Sequence, residues 1–238
     1  TTLDVKSGNN YAISIKGNWI DNNGGSGFEE RAGTVTFTST SAQSITNSTG
    51  ETFCKLTINK ASNDVTLNNG IFLLGSAGSG QLTLTSGDII LGSNNIELMT
   101  GCALSGGSAT SYIQITGTGM VRRYYDPSDV NVNRLFPVGD GTNYTPDTIR
   151  FNTGTTIALG AYMDVRVVNS IEPNLAGATH YINRYWQCDP SDPGDFDLTS
   201  SSYYISCVYA TADIVGTEAN MLLQKYNGTW PSSTAVDA

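Results

Sequence analysis

Two carboxylates are the first residues in this chain whose spacing could do chemistry. Asp64 and Asp88 stand 24 residues apart, each immediately before a short apolar segment, Val65-Thr66-Leu67 and Ile89-Ile90-Leu91. If those segments stack one above the other, the carboxylates become neighbours. A close pair raises one pKa and can divide acid and base work, as in glycoside hydrolysis. The competing reading is that an Asp ahead of a strand accepts hydrogen bonds from turn amides. No cluster of Arg, Lys or His accompanies the pair, which favours turn capping over catalysis. His180, the only histidine, has no serine or cysteine nucleophile motif beside it and reads as a loop or edge residue.

The densest acidic run is Asp189, Asp192, Asp195 and Asp197. Oxygen ligands on such a loop could hold Ca²⁺, the one cofactor the sequence suggests, although EF-hand spacing is absent. Asp126, Asp129 and Asn131 form a second oxygen-rich group. The four cysteines, Cys54, Cys102, Cys188 and Cys207, include no CxxC pair, so zinc-ligand spacing is missing. Cys188 and Cys207 fall on two β-like segments of one region and are candidates for a hairpin or cross-sheet disulfide. All three full pairings remain open. Cys54 and Cys102 read as small apolar fillers. Asn-x-Ser/Thr sequons begin at Asn47, Asn143 and Asn227, as expected by chance in a chain this rich in Asn and Thr.

The elements that would position these groups are clearest over residues 53–99. Leu56-Thr-Ile58, Val65-Thr-Leu67 and Ile71-Phe-Leu73 are followed by Leu82-Thr-Leu84, Ile89-Ile-Leu91 and Ile96-Glu-Leu98, at offsets of 26, 24 and 25 residues. Three short strands per turn, repeated at this period, predict a parallel β-solenoid. Followed outward, one inward column reads Ile13, Val35, Leu56, Leu82. A second reads Ile45, Val65, Ile89, Ile113, and a third Ile71, Ile96, Val121. Corners fall at Asn68-Asn69-Gly70, residues 75–80, Ser86-Gly87 and Gly92-Ser93-Asn94, where Gly and Asn supply φ > 0. Because strand side chains alternate, Phe72, Glu97 and Arg122 share an outward line, predicting a Glu97–Arg122 contact. The next line, Leu74, Met99 and Tyr124, predicts an apolar strip that packs against later chain or a partner. Within residues 17–39, Trp19 and Phe28 read as anchors of a Gly-rich loop in preference to a sugar platform.

After residue 123 the texture changes: all seven prolines lie beyond it, and strands become longer and less evenly spaced. Segments 148–152, 160–168, 183–187, 203–209 and 220–226 predict an antiparallel β-sandwich. The fold class is therefore all-β, a parallel β-solenoid over residues 1–122 followed by an antiparallel β-sandwich over 123–238. A net charge of −9 argues against nucleic acid as a partner. No apolar run approaches the roughly 20 residues of a membrane helix. The opening TTLDVKSG is no signal peptide, so any export signal is expected to be removed or to lie outside this sequence.

Several phrases carry a family resemblance: GNW…GF…GTVTFTS over residues 17–39, FCKLTIN from Phe53 and GQLTLTSG from Gly80. Others are Ser111-Tyr-Ile through Val121-Arg-Arg123, FPVG from Phe136, Arg184-Tyr-Trp186, ADIVGTE from Ala212 and YNGTW from Tyr226. In this order they resemble the large repeat-rich adhesins and gliding-associated surface proteins of Bacteroidota. The resemblance implies type IX export, a cell-surface or extracellular site, anchoring or secretion machinery as partners, and no catalytic residues. Cys54 departs from the family, where that position is often polar. Asp147-Thr148-Ile149 resembles the short O-glycosylation signal of the same bacteria, which would place a glycan on Thr148. The resemblance also implies that both ends are cut, leaving an edge strand for more chain or another subunit to complete. The expectation is a structural and adhesive segment, not an enzyme, contacting a surface, a glycan or another copy. The alternatives are a carbohydrate-binding or carbohydrate-degrading β-helix and a self-assembling filament subunit.

Overall fold

Strands of two to seven residues cannot persist alone, and in this protein they find partners above and below. The computed structural model describes residues 2–75, 80–175 and 177–229. With strands numbered along the chain, β1 (Leu3–Asp4) and β4 (Phe28–Glu29) form a small parallel pair near the first turn. Three long sheets then make the faces of a parallel solenoid. One stacks β2 (Ile13–Ile15), β5 (Thr34–Phe37), β8 (Lys55–Asn59), β11 (Gln81–Ser86) and β14 (Ala103–Gly106). The next stacks β3 (Trp19–Asp21), β6 (Gln43–Asn47), β9 (Val65–Leu67), β12 (Ile89–Ile90), β15 (Ile113–Gln114) and β18 (Val138–Gly139). The third stacks β7 (Glu51–Phe53), β10 (Ile71–Leu73), β13 (Ile96–Leu98) and β16 (Val121–Tyr124), and continues into β21 (Tyr162–Val168) and β23 (Tyr185–Pro190).

The first predicted column is present in full and gains Leu104 at its end. The third is also present, with Glu51 below Ile71 and Val165 beyond Val121. The second column needs a correction. Val65, Ile89, Ile113 and Val138 stack as a line, but the residue beneath Val65 is Gln43, while Ile45 stacks on Leu67. Choosing the apolar residue had shifted the register by two. Gln43 tolerates its buried place because its amide donates to the Ile15 and Gly17 carbonyls. Most inward residues of these columns are 0–2% exposed, so the solenoid interior is filled. At the corner that ends β11, Gly87 has φ +76, and an added Cβ there would lie 2.9 Å from Cβ of Lys60.

The parallel stack runs past residue 122 only at β18, while the sheet that holds that residue continues with antiparallel strands. That residue lies inside β16, whose far edge pairs antiparallel with β21, and β21 pairs antiparallel with β23. Facing this extension is a three-stranded antiparallel sheet of β17 (Arg134–Phe136), β19 (Asp147–Phe151) and β25 (Tyr203–Cys207). Two short pairs, β20 (Thr156–Ile157) with β24 (Phe196–Asp197) and β22 (Tyr181–Ile182) with β26 (Ile214–Val215), complete the antiparallel end. One apolar cluster runs from Val5 to Phe196 through both parts. The strand expected over 220–226 is absent: a 3₁₀ turn, Glu218–Asn220, is followed by irregular chain through residue 229. The terminal residues 230–238 and the centre of the 75–80 corner lie outside the described residues.

Ile96 is fully buried between Ile71 below and Val121 above. Ile96→Ala is expected to lower unfolding free energy in urea by about 2–5 kcal/mol. A loss below about 1 kcal/mol would mean that the stack does not bear on stability.

Candidate functional site

The carboxylate pair resolves into a ladder. Asp64 Oδ1 accepts the Asp88 backbone N–H at 2.9 Å, and Asp88 Oδ1 accepts the Tyr112 N–H at 2.9 Å. Asp88 Oδ2 accepts Gln114 Nε2 at 2.6 Å. Each carboxylate therefore satisfies the turn above it, the capping role open to an Asp ahead of a strand. Burial pushes the Asp88 carboxyl above its ordinary range, opposed by the Gln114 and Tyr112 hydrogen bonds.

Trp19 and Phe28 anchor their loop. Their rings meet edge to face at 4.8 Å, Trp19 also meets Phe53 at 5.3 Å, and both are buried. Trp19 Nε1 donates to Glu51 Oε2 at 2.6 Å, and the Asn47 amide donates to the same oxygen. This engagement also buries the first sequon asparagine. At Gly27 an added Cβ would fall 1.9 Å from Asp21 Oδ1, so a side chain there would displace the Asp21 carboxylate.

The predicted Glu97–Arg122 contact exists at 3.7 Å, but the stronger partner is Asp164 on β21, bound through two 2.8 Å hydrogen bonds. Arg122 also lies 3.7 Å over the Tyr162 ring. The apolar strip is shorter than expected. Leu74 and Met99 line a shallow hollow with Gly75 and Thr100. Tyr124 leaves that line: its hydroxyl donates to Glu97 and its ring packs 5.3 Å from Tyr162.

The acidic run does not converge. Asp192 accepts the Gly194 N–H as the cap of a 3₁₀ turn, Asp195 accepts Ser191 Oγ, Asp189 accepts Gln187 Nε2, and Asp197 accepts both polar groups of Thr199. Asp126 and Asp129 serve their own turn, Asp129 pairs with Arg134, and Asn131 donates to Thr153. Among the described residues no group of three or more His, Cys, Asp or Glu side chains could hold a metal ion. The calcium reading thus finds no ligand set in this structure. His180 Nδ1 accepts the exposed Thr217 N–H. Thr148 lies part-buried on the middle strand β19, beside Leu135 and Ser206.

Three buried polar groups were not anticipated from sequence. Arg184, with no exposed side-chain surface, bridges Asp140 at 2.8 Å and Asp213 at 2.7 Å, which ties three separate loops. Lys60 donates to the Ser39 and Ser41 carbonyls and to Gln43 Oε1, and burial lowers its pKa. The third is Asp147, fully buried and, among the described residues, in no ion pair: Cys188 Sγ donates to Oδ2 at 3.4 Å and Cys207 Sγ to Oδ1 at 3.6 Å. Cys188 and Cys207, the pair expected to bond, are free thiols in this structure and meet on the Asp147 carboxylate. The only advance signal was an Asp at an inward position of an alternating strand.

Burial pushes the Asp147 carboxyl up to about 6, against the lowering effect of the two thiols and the Thr148 amide. Unfolded Asp titrates near 3.9. Between about pH 4 and 6 the folded protein therefore holds a proton the unfolded chain has released, and stability falls as pH rises through that window. Under reducing conditions Asp147→Asn is expected to remove roughly 2–3 kcal/mol of that decline. Urea midpoints measured from pH 4 to 7 check it, and parallel curves for the two proteins would contradict the assignment.

Comparison with protein-family models, with curated proteins and with solved structures yields no match, so the functional reading rests on the geometry above.

Proposed function

We propose that this chain is a structural and adhesive segment of a long extracellular surface protein, acting as a stiff spacer whose polar faces make contact. The observation that carries the reading is the uninterrupted in-register stack from β7 through β16 into β21 and β23. A pull along such a stack is shared by hydrogen bonds and packed side chains in every rung. The outward face of the first sheet is a ladder of small hydroxyls, Ser14, Thr36, Thr57, Thr83 and Ser105, one per rung. That is a regular, solvated face suited to multivalent contact with a glycan or another surface, but not a convergent cleft. The Bacteroidota resemblance supplies the proposed setting: type IX export, cell-surface anchoring and, on Thr148, an attached glycan.

A filament subunit is the second reading, and β25 favours it. Among the described residues β25 is paired only with β19, and Tyr203, Tyr204, Val208 and Tyr209 on and beside it are exposed. Leu223, Lys225 and Thr229 border a hollow with Tyr203 and Ile205, so a neighbour's strand would add to β25 by displacing them.

The spacer reading expects no release of reducing ends from a panel of plant, algal and bacterial polysaccharides, and retention of intact cells or glycan on a surface coated with the protein. Release that is abolished by Asp64→Ala or Asp88→Ala would overturn it in favour of a carbohydrate-degrading β-helix. Concentration-dependent polymers in light scattering would move the reading to the filament.

A further inference from the structure

We propose that Cys188 and Cys207 are the two halves of a disulfide that ties β23 to β25, and that Asp147 is the proton acceptor for its formation. Asp147 and Cys207 are direct partners in the β19–β25 ladder, so their side chains leave the same face side by side. Cys188 approaches from the opposite sheet, where it pairs with Val165 on β21. The approach is fixed two residues earlier: Trp186 Nε1 donates to the Thr145 carbonyl at 2.9 Å, two residues before Asp147. Both sulfurs, held by two different sheets, thus rest on the two oxygens of one carboxylate. A buried carboxylate whose side-chain partners are only thiol donors is a poor structural choice, since S–H is a weak donor. The same placement suits thiol chemistry, because the nucleophile is the thiolate and its proton needs an acceptor. Burial and, second to it, the Asp147 carboxylate hold both thiols above the ordinary cysteine range, so ionisation there has to run with proton transfer to that carboxylate.

The oxidant is a low-molecular-weight disulfide, and the exchange balances. The Cys188 proton passes to Asp147 Oδ2, and the Cys188 sulfur attacks the disulfide and breaks its S–S bond. One small thiol leaves with a proton from solvent. Cys207 then gives its proton to the carboxylate, after the first has been released, and attacks the Cys188 sulfur, expelling the second small thiol. Two protein thiols and one disulfide become one protein disulfide and two small thiols. The bond links two edge strands, β23 and β25, at the end of the stack. Its presence in the cell rests on the extracellular reading above, because such bonds persist in oxidising compartments. Its chemistry does not.

The test uses the full chain, reduced and then exposed without denaturant to oxidised glutathione, with peptide mapping before reduction. The expected result is a Cys188–Cys207 linked peptide two hydrogens lighter than its parts, formed roughly tenfold or more slowly in Asp147→Asn. Circular dichroism should show the variant folded, and Cys188→Ser should leave no linked species. If both cysteines of the folded protein still alkylate fully after oxidation, the bond is refuted. If Asp147→Asn, folded, oxidises at the wild-type rate, the proton-acceptor role is refuted. A bond that forms in vitro but is absent from protein collected outside the producing cells would contradict the extracellular reading and leave the bond standing.

Discussion

Rung-to-rung register is the constraint on which the rest of this structure depends. The strands are too short to be stable singly, so backbone N–H and C=O groups are satisfied only by the rungs above and below. Inward side chains of one rung must then meet those of the next at about 4.8 Å, whatever they are. Where they are Ile, Leu, Val and Phe, the contact excludes water. Where they are polar, the neighbours must supply hydrogen bonds, as they do for Gln43, Glu51 and Lys60. The Asp64–Asp88–Tyr112 ladder follows the same rule at a corner. The two carboxylates whose spacing suggested acid–base work stitch successive turns together.

The same constraint explains the change at β16. Val121 continues its column, but the next inward residue in line with Leu73 and Leu98 is Arg123, which is buried, donates to the Leu135 carbonyl and is pushed down to about 10 by burial and by Arg134. The rung stacked on Arg123 is β21, which runs antiparallel and sets Met163 against it, while Arg122 is neutralised by Asp164 and the β17–β19–β25 sheet covers the interior. The solenoid ends by being joined to its cover through a shared sheet, with Arg184 and its two carboxylates tying the surrounding loops.

Much of the solenoid was legible because its signal is redundant. Leu56, Leu82, Ile71 and Ile96 recur at one period and lie between Gly and Asn corners, so an error at one position cannot hide the repeat. The slip at Ile45 shows the limit: apolar identity was taken as the marker of inwardness, and Gln43 is inward and polar. The antiparallel end gave up its strands but not its pairing, since β17 is too short to stand out and residues 220–226 alternate but form no strand. The sites were the least legible. Asp189 to Asp197 looked like a ligand set because sequence shows proximity along the chain and hides the Asx and capping turns that consume each carboxylate. Asp147, Cys188 and Cys207 are up to 60 residues apart in the chain, and only the facing of two sheets brings them together.

The central claim is that solenoid and antiparallel end form one mechanical unit through β16, β21 and β23. Native-state hydrogen exchange read by peptide across residues 71–190 tests it most directly. The account predicts that amides of β10, β13, β16 and β21 are protected to a common level and open together on approach to global unfolding. Protection that breaks after residue 122, with β21 and β23 exchanging in a separate, lower-stability unit, would contradict it.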